Sequence, residues 1–411
     1  MIKTMKKTLI LIIVIISSTN VFSQELLVES NNDFSIKIYR ATKPDSSNFF
    51  ISPFSLNIAL SIANEGAKTS TRQEMDNLLS LGNINNRSYE YKKLIQKTTD
   101  LYDSDFKSCI EWSEDKTSKN EIFLANSLWI NDAVDIDTRF IENINQNYKS
   151  EIFSFNKHNV ISANKELNDW ISKKTNEKIP EIKGLNKDIM LSIINAIYFM
   201  GEWDIPFDIK KTKEKKFHTL NREKIDVKYM RDQSHYRYYE DSDIQSIYLP
   251  YKCHQFSMIV ILPQKRYGII DIENKLDREY FKNIDSLSYS HEVILSFPKF
   301  KIESEIFPKD EIIEMGYPIM FSDKADFTGL SHTDSLKIGE IIHKTFIEID
   351  EKKTEAAAVT KVDMVVIGYG AGGDPPPPPP PKIFNADHPF IFMIIDNRTK
   401  AILFTGRFVK E

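Results

Sequence analysis

The amino-acid sequence predicts an α+β fold with large antiparallel sheets. Helical spacing of apolar residues dominates the first part, and period-two or continuous apolar runs dominate after about residue 190. No linker or internal repeat divides residues 30–365. The 411 residues are 41% hydrophobic and 11% aromatic, which places the chain among globular proteins and not disordered ones. With 54 Lys+Arg against 59 Asp+Glu the net charge is −5, so charge gives no case for a nucleic-acid partner. Length alone exceeds the usual single-core limit of about 250–300 residues and makes two domains the default expectation.

The N-terminus reads as a secretory signal. Lys3, Lys6 and Lys7 precede the apolar run Leu9–Ile16, and Val21-Phe22-Ser23 offers small residues at the cleavage positions. Removal of residues 1–23 would leave a mature chain of residues 24–411, secreted to the extracellular space or periplasm. Eight apolar residues are too few to span a bilayer, which needs about 20, and no other segment is long and apolar enough.

Ser52 before Pro53 is a helix start, an N-cap followed by proline at the first helical position. Leu56, Ala59, Leu60 and Ala63 keep helical spacing until Gly66. Thr71 and Glu74 have the spacing of a capping box opening the next helix, with Met75, Leu78 and Leu79 inward. Leu167, Trp170 and Ile171 mark one face of a helix that ends before Pro180. Leu191–Met200 is then a dense apolar strand, and Ser246–Pro250 with Phe256–Leu262 forms a hairpin. Strands at Val293–Phe297 and Lys299–Glu303 follow, and Phe390–Ile395 and Ala401–Val409 flank a polar turn.

A search for catalytic chemistry finds none. The eight histidines are scattered, with no His-Glu-x-x-His, no Gly-x-Ser-x-Gly and no phosphate loop. The sequence therefore predicts neither an enzyme nor a cofactor or metal. Cys109 and Cys253 form either one bridge or two free thiols, and do not constitute a disulfide framework. Asn86-Arg87-Ser88 and Asn397-Arg398-Thr399 match the glycosylation sequon. The basic cluster from Lys210 to Lys216 reads as a solvated loop and not as a polyanion site, because Glu214 interrupts it and no aromatic residue interleaves.

Four glycines and seven prolines crowd into residues 368–381. Gly368, Gly370 and Gly373 satisfy Gly-x-Gly-x-x-Gly after the strand-like Val362–Ile367, but Asp374 and seven prolines follow. Proline cannot build the helix whose N-terminus would bind pyrophosphate, so this is no nucleotide site. The run Pro375–Pro381 would instead form a polyproline II strut about 22 Å long at about 3.1 Å per residue. The segment before it alternates. Thr354, Ala356, Ala358, Thr360, Val362 and Met364 make one small or apolar face, while the opposite face is largely charged. Thr-Glu-Ala-Ala-Ala also has good helix propensity, so the segment suits both a helix and a strand added conditionally to a sheet.

Several blocks together resemble the serpins over nearly the whole chain, in the family's order. They are Asn48–Ser55 with Ala59 and Gly66-Ala67, Asn168–Ile171 with Thr175, and Asn195–Phe199 with Gly201, Trp203 and Phe207. Leu249-Pro250-Tyr251, Pro298–Phe300, Ala325–Gly329, His343–Glu348, and Asp387–Phe390 through Arg407 complete them. The resemblance implies a single domain of about nine helices and three mainly antiparallel sheets, with an exposed reactive-centre loop at about 351–383. It implies a monomer whose partner is a serine protease, or a cysteine protease. The protease would attack the loop as substrate and be trapped as the loop inserts into the main sheet.

Carried over by residue, Glu351 is the base of the loop and Thr354 the first inserting side chain. Glu355, Ala356, Ala357 and Ala358 form the hinge, which Thr360 ends. Lys353 stands where inhibitory members usually carry glycine. The family's spacing from Glu351 puts the scissile bond at Ile367–Gly368, with Val366 and Tyr369 as fallback sites, which suits elastase-, subtilisin- or chymotrypsin-like proteases. Ser52, Ser55, Asn195 and His343 match the region where the sheet opens, and Trp203 the place where insertion begins. A non-inhibitory carrier or protease substrate is the alternative implied.

Overall fold

The computed structural model describes residues 23–82, 84–113, 120–332, 336–351 and 379–409. Helix α1 (23–42) leads into a short strand β1 (Phe49–Ile51) and helix α2 (Pro53–Gly66). The Ser52 side chain caps α2, as its sequence demands, by accepting from the Ser55 N–H. Every α2 residue except Glu65 is buried, so α2 is a core helix between two sheets. Helices α3 (Thr69–Leu78), α4 (Arg87–Thr99) and α5 (Ser104–Trp112) follow. Strand β2 (Glu121–Asn131), α6 (Thr138–Asn147), β3 (Glu151–Phe155), α7 (Val160–Lys174) and β4 (Leu191–Met200) come next.

The remaining chain is mostly strand. It runs through β5 (Lys213–His218), β6 (Lys224–Glu240), β7 (Ile244–Pro250) and β8 (Phe256–Pro263). After α8 (Ile269–Lys275) and α9 (Arg278–Leu287) come β9 (Tyr289–Pro298), β10 (Phe300–Ile306), α10 (Lys309–Glu314) and β11 (Glu340–Ile349). Strands β12 (Lys382–Asn385), β13 (Phe390–Asp396) and β14 (Ile402–Phe408) close the fold.

Among the described residues there are two sheets and not three. One has five strands in the order β10-β11-β4-β2-β3, and the other has nine. The long β6 explains the merger: its first half pairs with β5, its middle with β9 and its last residues with β7, so strands expected in separate sheets share one. The two-domain default also fails, because one apolar core runs from Leu27 through α2 to Phe408 and joins both sheets.

Several sequence readings need correction. Thr71 and Glu74 do not form a capping box; α3 starts at Thr69, with Lys68 at its cap. Thr71 Oγ1 accepts from the Asp326 N–H (2.8 Å) and Glu74 Oε1 from the Ile319 N–H (2.6 Å), so both hold a distant loop instead. Lys213–Lys216 is not a loop but the start of edge strand β5, where lysines discourage further pairing. Lys382 and Ile383 belong to β12, paired in parallel with β9, so the loop ends before them. Cys109 and Cys253 are joined by a disulfide. Asn397 Nδ2 donates to the His254 carbonyl and to Ser257 Oγ (2.8 Å each), so of the two sequon asparagines only Asn86 is exposed.

A buried ion cluster ties the C-terminal hairpin to the helices. Arg407 and Glu273 are both fully buried and paired (3.3 Å), and Tyr39 Oη (2.7 Å) and Lys43 Nζ (3.1 Å) complete the carboxylate's partners. Removing one member would strand the opposite charge in a dry site. Glu273→Ala is predicted to cost about 3–5 kcal/mol of native-state stability, read as a lower denaturant midpoint. A midpoint within error of the parent would contradict this.

Candidate functional site

Strand β4 is apolar except at Ser192 and Asn195 because both its faces are covered. Ile193, Ile197 and Phe199 belong to the core shared with α2, whereas Ile194, Ala196 and Tyr198 pack with Leu167 and Ile171 of α7. Its neighbours are β2, antiparallel, and β11, parallel. The β4–β11 ladder pairs Ser192–Tyr198 with Glu340–Phe346 without an intervening strand.

At one level of these three strands the apolar pattern breaks. Asn126 on β2 lies opposite Asn195 on β4, and Asn195 opposite His343 on β11, so the three side chains form a row. The N-terminus of α2 lies against it. His343 Nε2 accepts from the Ser52 N–H (3.0 Å), so its proton resides on Nδ1, which faces Asn195 Oδ1. Asn195 Nδ2 meets Ser55 Oγ and Asn126 Oδ1. Ser52 Oγ donates to the Leu403 carbonyl (2.7 Å) and anchors the row to β14. All five side chains are buried, and burial pushes the His343 pKa down to about 3. Sequence reasoning named Ser52, Ser55, Asn195 and His343 here but missed Asn126, whose role depends on a strand register across 69 residues.

Trp203 lies elsewhere, at the end of the same strand pair. The β4–β11 ladder stops at Tyr198 and Phe346, and beyond it a small cleft opens, lined by Gly201, Trp203, Tyr251, Ile349 and Asp350 among others. The Trp203 indole stacks on Tyr251 (ring centroids 4.6 Å, interplanar 9°) and its Nε1–H donates to the Asp350 carbonyl (2.9 Å). Gly201 permits this approach, since a Cβ there would lie 2.5 Å from the Tyr251 ring. One residue on, Glu351 is buried and doubly held. Thr212 Oγ1 donates to its Oε1 (2.6 Å) and Lys299 Nζ contacts its Oε2. Burial acts to raise its pKa, but these donors outweigh burial and hold the carboxyl below its usual range.

The other residues expected to form the hinge (Lys353, Thr354, Glu355, Ala356, Ala357, Ala358 and Thr360) lie outside the described residues, as do Val366, Ile367, Gly368 and Tyr369. Among the described residues no group of His, Cys, Asp or Glu could hold a metal ion, and no helix is long and apolar enough to cross a membrane.

A five-stranded sheet thus holds a direct parallel pair, β4 with β11, at its centre, and Glu351 lies beside the cleft at the end of that pair. The family described as "Serpin (serine protease inhibitor)" matches residues 29–411, and the chain belongs to it. An uncharacterized serpin-like protein of Methanosarcina acetivorans is 31% identical over 390 residues, covering 93% of this chain and 87% of the relative. The leukocyte elastase inhibitor of Xenopus laevis is 30% identical over 372 residues, covering 88% and 92%. The crystal structure of the thermophilic serpin tengpin in its native state superposes with a TM-score of 0.80 at 27% identity, covering 93% of this chain and 94% of that one.

His343 predicts an acid sensitivity with a definite sign. Its folded pKa of about 3 lies below the unfolded value near 6.5, so the unfolded chain takes up a proton first. Its contribution is complete above about pH 6.5 and is lost as pH falls, by about 2 kcal/mol at pH 5. Denaturant midpoints at pH 7.5 and 5.0 should show a smaller acid loss in His343→Gln than in the parent. Equal losses would refute the assignment.

Proposed function

We propose that the chain inhibits serine-type endopeptidases as a single-use trap. The protease cleaves the loop near Ile367–Gly368 to form an acyl-enzyme, and residues 354–366 then insert between β4 and β11. The observation that carries this reading is the direct parallel pairing of β4 with β11. A strand inserted between them replaces one parallel ladder by two antiparallel ones, which are slightly more stable per residue. Its inward side chains meet the packed face that the sheet shares with α2, which the small residues Thr354, Ala356, Ala358 and Thr360 suit.

The row of Asn126, Asn195 and His343 lies across the path of insertion, so the bonds between Asn195 and His343 must break as the strands part. This latch holds the closed state until cleavage frees the loop. Aliphatic Ile367 after Val365-Val366 favours elastase-, subtilisin- or chymotrypsin-like targets, in keeping with a relative named as an elastase inhibitor. Pro375–Pro381 lies on the product side of the bond and need not insert; it lifts the bait from the body. The N-terminal signal directs the protein out of the cell, where such proteases act.

Lys353 favours a second reading, a non-inhibitory serpin, because its side chain restricts the hinge where glycine would not. Incubation with elastase or subtilisin followed by denaturing electrophoresis separates the two. Inhibition predicts a covalent band at the summed mass, and a large rise in unfolding temperature on cleavage. A clipped chain beside fully active protease would sink the proposal. Thr354→Arg places a charge at an inward position and is predicted to lower the trapped fraction about tenfold or more while cleavage continues.

A further inference from the structure

The disulfide joins α5 to the turn between β7 and β8, 144 residues away in sequence. Only Phe106 of α5 is buried, so the helix is thinly anchored without the bridge. The turn is strained, with Cys253 and His254 both left-handed (φ 56° and 53°), a conformation that side chains disfavour. It is also zipped to the segment leaving β4. The Lys252 N–H donates to the Glu202 carbonyl (2.7 Å) and the Asp204 N–H to the Pro250 carbonyl (3.0 Å). Trp203 bridges and stacks on Tyr251, and His254 Nε2 pairs with Asp204 (3.2 Å). Through Trp203 Nε1 and the Asp350 carbonyl, this path reaches the base of the loop. Both cysteines are half-buried, open to a small reagent.

We propose that the Cys109–Cys253 disulfide is a thiol-responsive clamp on the gate formed by Trp203 and Tyr251. Closed, it holds the strained turn against Gly201–Asp204 and keeps the end of the β4–β11 pair shut. A small-molecule thiol opens it in two exchanges. The first thiolate attacks one cysteine sulfur, giving a mixed disulfide and releasing the other cysteine. A second thiolate displaces the protein sulfur from the mixed disulfide, and each released sulfur takes the proton its attacker gave up. Two thiols leave as one disulfide and two cysteine thiols remain. The freed turn relaxes, Trp203 loses its backing, and the uncleaved loop inserts sooner. The last step rests on the insertion reading above; the loosening of the gate does not.

The test compares the full chain, oxidised or treated with dithiothreitol under native conditions and with free thiols counted, with a Cys109→Ser/Cys253→Ser double variant. Hydrogen exchange of residues 201–204 and 251–255 is expected to be about tenfold faster in the reduced chain, and in the double variant with or without reductant. Survival of protease-trapping capacity at 37 °C should shorten several-fold in the same samples. Unchanged exchange in the double variant would overturn the clamp. Faster exchange with unchanged survival of trapping would overturn its control of insertion. Faster exchange in a chain that never traps a protease would leave the clamp standing and refute the inhibitory reading instead.

Discussion

The lateral pairing of β4 with β11 is the constraint on which the rest of the structure depends. Both strands are buried on two faces, by α2 below and α7 above, so parting them disturbs two apolar layers at once. Ser52, Pro53 and the largely buried α2 face the ladder from beneath, and β14 holds that helix in place through Ser52. A sheet packed so tightly in its centre would resist opening if its only interactions were apolar.

The polar row changes that balance. Asn126, Asn195, His343, Ser52 and Ser55 bond to one another in a buried site, with Asn126 Nδ2 left unpaired, and a neutral histidine is the condition for it. Each such bond contributes about 0.5–1.5 kcal/mol net, so the group contributes a few kcal/mol. On the proposed mechanism, that suffices to hold the sheet shut at rest and is small beside the burial of a complete new strand. A polar row can separate and re-pair with an inserted backbone, which an interdigitated hydrocarbon layer cannot do without leaving a cavity.

Much of this was legible in the sequence, for local reasons. Ser52-Pro53 specifies a helix start by chemistry confined to adjacent residues, and the β7–β8 and β13–β14 hairpins pair segments close in the chain. Strand β2 escaped because it is covered on both faces over much of its length and carries Asn126, Ser127 and Asn131 inward, so it shows neither alternation nor a continuous apolar run. Thr71 and Glu74 have the spacing of a cap but serve loops near residues 319 and 326, a tertiary choice no local pattern encodes. The lysines of β5 looked like solvent because edge-strand lysines are exposed. Asn126 and the disulfide belong to the same class, contacts set by strand register and turn placement between residues far apart in sequence.

At the end of the ladder, Glu351 is buried and held by two donors. Its bonds to Lys299 and Thr212 fix the residue proposed as the base of the loop, and Trp203 lines the cleft beside it. The direct contact of β4 with β11 is therefore the feature to follow through cleavage. A crystal structure of the loop-cleaved protein measures it at Asn195 and His343. The account predicts that the strand separation there doubles, from about 4.8 Å to about 9.6 Å, with residues 354–366 paired between them. Asn195 and His343 still adjacent in the cleaved protein would contradict it.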